Sequence, residues 1–121
     1  METYTHAEIL AMTTGKKKQP RHQRGVMNKT EREWADELAI QGKGQPLFEA
    51  ITLRIGHDCR YTPDFFWLNS FNQGFFDEVK GFRRDDAMVK IRAAATRFPM
   101  FTFRLVQKTK AGWKVKVIPS V

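Results

Sequence analysis

Apolar residues at helical spacing predict a first helix after residue 28. The apolar side chains that follow Glu31 at spacings of three, four and seven residues share its helix face: Trp34, Ala35 and Leu38. Asn28 can cap this helix, because Glu31 three positions later completes the capping-box pattern. Gly42 and Gly44 are expected to end it.

Alternating and aromatic-rich apolar runs predict three strands after that helix. They span residues 46–55, 60–68 and 75–80. Pro63 interrupts the second strand early, and turn-forming residues at 56–58 and 69–74 connect the strands. Three strands joined by such short connections are most easily arranged as a meander.

A second helical pattern begins after Gly81, where Asp85 and Asp86 favour the N-terminal end of a helix. Its apolar stripe consists of Met88, Ile91, Ala95 and Phe98. Pro99 is expected to end this helix. Two further strands are predicted at residues 100–106 and 113–117.

The predicted order is helix, three strands, helix, strand, strand, which is typical of an α/β domain with a mixed central sheet flanked by helices. The fourth strand follows a helical crossover, so it can lie parallel to an earlier strand. A chain of 121 residues has room for one compact domain and a tail. We predict a domain over residues 28–121 and an N-terminal arm over residues 1–27.

The arm is polar and strongly basic over residues 15–25, with almost nothing to bury. Such a segment cannot offset the entropy of ordering, so we expect a mobile arm unless a ligand holds it. A phosphate-binding arm is the functional interpretation, and a solvated tail is the alternative. The whole chain carries a net charge of +8, which favours a polyanionic partner, nucleic acid first and an anionic membrane surface second.

Other compositional features exclude several classes of protein. Cys59 is the only cysteine, so an intramolecular disulfide is impossible. No stretch approaches the roughly 20 apolar residues of a membrane span, and the N-terminus lacks a signal-peptide pattern. We therefore expect a soluble, cytoplasmic protein with no membrane partner. No Cys/His zinc spacing or glycine-rich phosphate loop is present, and His57-Asp58 falls in a predicted turn without a second histidine nearby.

The candidate chemistry lies on two neighbouring strands. Glu78 and Lys80 are two residues apart on a strand, so both side chains leave the same face, whereas Asp77 points the other way. A hairpin can bring Asp64 beside Glu78. Two convergent carboxylates suit Mg²⁺, and the main-chain carbonyl of Val79 can complete the inner shell. Lys80 can then orient the attacking water or stabilise the transition state at a phosphate.

The segments 61–65 (Tyr-Thr-Pro-Asp-Phe) and 78–81 (Glu-Val-Lys-Gly) resemble the two halves of the PD-(D/E)XK nuclease signature. The αβββαββ order also resembles the core of that superfamily. Over about residues 28–117, the chain is most similar to small phage-encoded endonucleases of the Holliday-junction-resolvase type, including a phage domain family of unknown function. The resemblance implies a Mg²⁺-dependent endodeoxyribonuclease, with Mn²⁺ as an expected substitute, acting in the host cytoplasm if phage-encoded.

The resemblance also implies a third acidic residue on the first helix. Glu31 occupies that place, and Glu33 is its rival; Glu31 shares the face of Trp34, which must turn towards the sheet. A plain capping-box residue is the alternative role for Glu31, and the two roles are compatible. The predicted catalytic set is Glu31, Asp64, Glu78 and Lys80, with metal held by Asp64, Glu78, the Val79 carbonyl and Glu31.

Basic residues outside this set are expected to contact the DNA backbone, which positions a substrate without reading its sequence. They are Lys16, Lys17, Lys18, Arg21, Arg24, Arg83, Arg84 and Lys90. No base-reading motif is evident, so recognition of branched DNA by shape is favoured. Resolving a four-way junction needs paired cuts, so the resemblance implies a homodimer. A duplex or flap nuclease with the same site, and a non-catalytic DNA-binding protein that retains the fold, are the alternatives.

Overall fold

The structure is a computed structural model that describes residues 25–80 and 85–120. It has two helices, α1 (Lys29–Ile40) and α2 (Asp85–Arg97). Its strands are β1 (Leu47–Phe48), β2 (Leu53–Gly56), β3 (Cys59–Tyr61), β4 (Phe65–Leu68), β5 (Gly74–Val79), β6 (Thr102–Thr109) and β7 (Gly112–Ile118). The predicted α/β class is therefore confirmed.

The strands form a mixed five-stranded sheet in the order β1-β4-β5-β6-β7 and a separate hairpin of β2 and β3. In the larger sheet, β5 and β6 are parallel, and the other neighbours are antiparallel. The chain passes from β5 to β6 through α2, as a parallel pair requires. The predicted parallel placement of the strand after the second helix is confirmed.

Both predicted strands before residue 69 are broken, which corrects the prediction of one continuous strand each over residues 46–55 and 60–68. Glu49 adopts φ 48°, outside the extended region, and its N–H donates to the Asp64 carbonyl at 2.8 Å. Pro63 has no N–H to donate to a ladder. The two breaks therefore face each other, and the outer half of the long hairpin, β2 and β3, leaves the larger sheet.

The larger sheet is covered on both faces. On one face α1 packs on a cluster of buried side chains: Trp34, Leu38, Phe65, Trp67, Val79 and Val106. On the other face α2 and the β2–β3 hairpin enclose a second cluster: Leu53, Tyr61, Phe76, Ile91, Ala94, Ala95, Phe103 and Ile118. Successive β5 side chains alternate between these clusters, because strand side chains alternate in direction. The predicted apolar stripe of α2 does face the core.

A buried ion pair between Asp77 and Arg104 connects the sheet to α1 through Trp34. Asp77 is fully buried, and its carboxylate accepts bonds from the Trp34 and Trp67 indoles at 2.9 and 3.0 Å. Arg104 on β6 donates two further bonds to it, at 2.8 and 2.7 Å. The charge of Asp77 is thus paired and hydrogen-bonded, the condition under which a buried carboxylate is tolerated. The network fixes the second turn of α1 relative to β5.

Candidate functional site

Asp64 lies between β3 and β4 and is held from two directions. Its side chain is 8 % exposed, and its Oδ2 accepts the Val79 N–H at 2.8 Å. Its main-chain carbonyl accepts the N–H of Glu49 at the facing strand break. The irregular backbone around Pro63 therefore anchors the Asp64 carboxylate against the end of β5. The position of this carboxylate follows from the bend in the hairpin.

Glu78 lies on the same face of the sheet as Asp64. Phe65 pairs with Asp77 across β4 and β5, so the preceding residue, Asp64, stands opposite Glu78. The Tyr61 hydroxyl donates to Glu78 Oε1 at 2.7 Å. Tyr61 is itself 5 % exposed, so this bond to a partly buried carboxylate is shielded from water. The hairpin formed by β2 and β3 thereby orients Glu78.

Glu31 reaches the same place from α1. It is 5 % exposed, and the predicted capping box with Asn28 is present in both directions at 2.8 Å. Its side chain is also close enough to hydrogen-bond with the Asp64 carboxyl group. A hydrogen bond between two carboxyl groups requires one proton. Glu31 therefore caps the helix, as its capping-box pattern predicted, and its side chain also lies near Asp64.

The electrostatics of the site centre on Asp64. Burial, then the charge of Glu78, then the proximity of Glu31 raise the pKa of Asp64 from 3.8 to about 9, although the Val79 N–H acts in the opposite direction. Burial also raises the pKa of Tyr61 far above its ordinary value, and the neighbouring Glu78 carboxylate adds to the shift. The cluster has an excess of negative charge, which a proton or a metal cation can relieve.

The main chain at the end of β5 offers a further oxygen. The Lys80 N–H donates to the Val106 carbonyl on β6 at 2.6 Å. The peptide between Val79 and Lys80 is trans, so its carbonyl points away from β6 and towards the side where Asp64 lies. The Val79 carbonyl is therefore directed towards the side of β5 on which Asp64 lies.

Lys80 follows β5 directly and is exposed. By strand alternation its side chain leaves the face that carries Glu78. Asp77 is on the opposite face, as predicted, and belongs to the Arg104 network. Glu33, the rival of Glu31, forms a salt bridge with Lys108 away from Asp64. Asp77 and Glu33 therefore have ion-pair partners of their own and are not part of the candidate site.

The donor set fits a hard divalent cation in its chemistry: carboxylate oxygens, one main-chain carbonyl and an accessible lysine beside them. In the part of the chain described, no three Asp, Glu, His or Cys side chains are already gathered as a metal-binding group. Asp64 is the shared neighbour, since the charges of Glu78 and Glu31 both raise its pKa.

Most of the predicted DNA-contacting residues fall outside the described ranges. They are Lys16, Lys17, Lys18, Arg21, Arg24, Arg83 and Arg84. Lys90 is described and lies half-buried on α2. His57 and Asp58 form an exposed pair at 3.4 Å in the turn after β2. His6 and His22 also lie outside the described residues.

Two contributors to the site escaped sequence reasoning. Tyr61 is the first residue of the 61–65 segment, but its hydroxyl had no predicted role. Its position three residues before Asp64 was the only indication that it lies close to the site. Arg104 gave no signal, because its partner Asp77 is 27 residues away in the chain. No helix within residues 25–80 and 85–120 is long and apolar enough to cross a membrane.

No protein-family model matches the chain, and neither a curated protein nor a solved structure matches it.

Proposed function

We propose that this protein is a Mg²⁺-dependent endodeoxyribonuclease with a PD-(D/E)XK-type core. The observation that carries the proposal is the proximity of Glu78 and Glu31 to the buried Asp64 at the end of β5, where burial and then the charge of Glu78 raise the pKa of Asp64. A strained cluster of like charges in a folded protein is typical of a functional site. Lys80 follows this cluster directly in the chain, and a lysine there can stabilise charge on a phosphate, which supports phosphodiester cleavage over a purely structural ion site.

Each side chain has a task in hydrolysis of a phosphodiester. Asp64, Glu78 and the Val79 carbonyl would hold the cation. Glu31, on α1, would add negative charge beside Asp64. Bound Mg²⁺ supplies positive charge for the scissile phosphate and lowers the pKa of a coordinated water. The exposed ammonium of Lys80 donates hydrogen bonds to the attacking water or to phosphate oxygens. The Tyr61 hydroxyl keeps the Glu78 carboxylate in one orientation.

The substrate proposed is branched DNA, with a four-way junction as the preferred form. The net charge of +8 supports contact with phosphates, and the sequence has no base-reading motif, so shape is the remaining basis for selection. Because two paired cuts resolve a junction, we propose a homodimer as the active form. The basic residues of the arm and Arg83, Arg84 and Lys90 remain the proposed backbone contacts.

A cleavage assay tests the proposal. The full chain with Mg²⁺ is incubated with a labelled four-way junction and, separately, with a linear duplex of the same sequence. We expect paired symmetric cuts in the junction only, and none with Asp64→Ala or in excess chelator. Equal cutting of both substrates would retain the nuclease and replace the junction with duplex or flap DNA. Binding without any cutting in Mg²⁺ or Mn²⁺ would favour the non-catalytic DNA-binding protein.

A further inference from the structure

The solvent-facing side of the β2–β3 hairpin carries two arginines directly opposite each other. Arg54 and Arg60 are register partners in this antiparallel pair, and both are exposed. Residues paired in this way have Cβ atoms about 5 Å apart, and like charges at that position are destabilising. Among the side chains that the structure describes, neither arginine forms a salt bridge. In the described part of the chain, two arginines therefore face each other across the hairpin without a salt-bridge partner.

The next position of the same face carries two hydroxyl groups. Thr52 and Thr62 are hydrogen-bonded to each other at 2.7 Å across the hairpin. By strand alternation, Thr52 lies on the side of Arg54, and Thr62 lies on the side of Arg60. Arginine presents a planar fork of N–H donors that matches phosphate oxygens, and threonine hydroxyls add further donors. Together these side chains form a small polar face with donors and positive charge, which suits an anion.

This polar face is attached to the candidate site by the hairpin itself. Tyr61 follows Arg60, points to the opposite side of the hairpin and donates to Glu78. Leu53 and Tyr61 are paired in the ladder and buried against α2, so the hairpin is a fixed part of the domain. A phosphate bound by Arg54 and Arg60 would therefore lie on the opposite face of the hairpin from Tyr61 and the Glu78 carboxylate.

We propose that Arg54 and Arg60, with Thr52 and Thr62 beside them, bind the phosphate backbone of DNA next to the site of cleavage. The inference rests on the proposed nuclease function and adds a contact surface that lies outside the arm and the segment after β5. The ligand class is the phosphodiester backbone of a DNA strand. A bound phosphate would relieve the mutual repulsion of the two arginines, which have no salt-bridge partner among the described side chains.

The test measures DNA binding by a chain that cannot cut. Asp64→Asn protein is titrated into labelled junction DNA between about 50 and 200 mM salt, with and without Arg54→Gln and Arg60→Gln together. We expect at least about tenfold weaker binding and a salt slope smaller by about two, since each phosphate contact contributes about 0.9 to that slope. Arg54→Lys with Arg60→Lys, which keeps both charges, is expected to keep the slope.

The matched control removes two positive charges elsewhere. Lys114 and Lys116 are exposed on β7, at the edge of the larger sheet opposite β1. Lys114→Gln with Lys116→Gln should change affinity less than about threefold. Equal losses in both double variants would overturn the proposal, because they would reflect net charge alone. An unchanged affinity for DNA in the arginine variant, or a loss confined to RNA of the same sequence, would also overturn it.

A separate readout keeps this inference distinct from the nuclease proposal. If the otherwise unmodified chain cuts DNA, the arginine double variant should raise KM and leave kcat within about twofold, because the arginines hold the backbone and do not touch the reacting atoms. If it does not cut, the binding titration still decides the role of Arg54 and Arg60. Melting temperatures of the arginine variant should equal or exceed that of the parent, since removal of a like-charge pair relieves repulsion.

Discussion

Replacing the central carboxylate should make the folded protein more stable. Asp64 is 8 % exposed and has its pKa raised to about 9, first by burial and then by Glu78 and Glu31. A group whose pKa is higher in the folded state contributes its full stability below the unfolded value of 3.8 and loses it as the pH rises towards about 9. At pH 7 the raised pKa of Asp64 therefore already lowers the unfolding free energy of the metal-free protein by most of its full effect.

The magnitude follows from the same shift. Between 3.8 and pH 7 there are about three pH units, each worth about 1.4 kcal/mol, so about 4 kcal/mol is the upper limit of the cost. In Asp64→Asn the side-chain oxygen can still accept the Val79 N–H, and folding at pH 7 no longer requires uptake of a proton at this position. We expect the variant to be at least about 2 kcal/mol more stable at pH 7, or about 10 °C in Tm for a domain of this size.

Urea unfolding followed by tryptophan fluorescence at pH 4, 5.5, 7 and 8.5 measures the difference. The curves of the parent and Asp64→Asn should coincide near pH 4 and separate as the pH rises. Asp36→Asn is the matched control, because Asp36 is an exposed carboxylate on α1, and its effect should stay within about 0.5 kcal/mol. A variant that is less stable at pH 7, or a gain that does not depend on pH, would refute the reasoning.

Three further substitutions test other parts of the structure. Tyr61→Phe removes the hydrogen bond to Glu78, so Mn²⁺ affinity measured by calorimetry should fall about tenfold, while unfolding free energy falls by only about 1 kcal/mol. Lys80→Ala, at an exposed position, should reduce single-turnover cleavage at least about 100-fold with unchanged Tm and DNA affinity. Arg104→Met leaves the buried Asp77 charge unpaired, so unfolding free energy should fall by about 3–5 kcal/mol, and adding Asp77→Asn should restore part of it.

Local features of the fold were predictable because local sequence determines them. The capping box of Asn28 and Glu31 depends on residues three positions apart, and it appears as expected. The same holds for the apolar stripe of α2 and the end of that helix before Pro99. The opposite directions of Asp77 and Glu78 follow from strand alternation alone.

The strand breaks were not predictable in this way. The bend at Glu49 depends on a main-chain hydrogen bond to Asp64, which is 15 residues away in the chain. Position 49 itself is neither glycine nor proline, so the local sequence does not predict a positive φ there. The same bend sends Tyr61 to Glu78 and leaves Arg54 opposite Arg60. The motif thus indicated the candidate residues, whereas the contacts that orient Asp64 and Glu78 could be identified only in the folded arrangement.

Calorimetric titration of Mn²⁺ into the full chain at pH 7 tests the metal site itself. We predict one bound ion per chain, loss of that binding in Asp64→Asn, and release of about one proton per ion, because the cation replaces the proton that Asp64 holds at this pH. Repeating the titration in buffers of different ionisation enthalpy counts the released proton. No binding at millimolar Mn²⁺, or equal binding by Asp64→Asn, would contradict the assignment of the carboxylates at the end of β5 as a catalytic metal site.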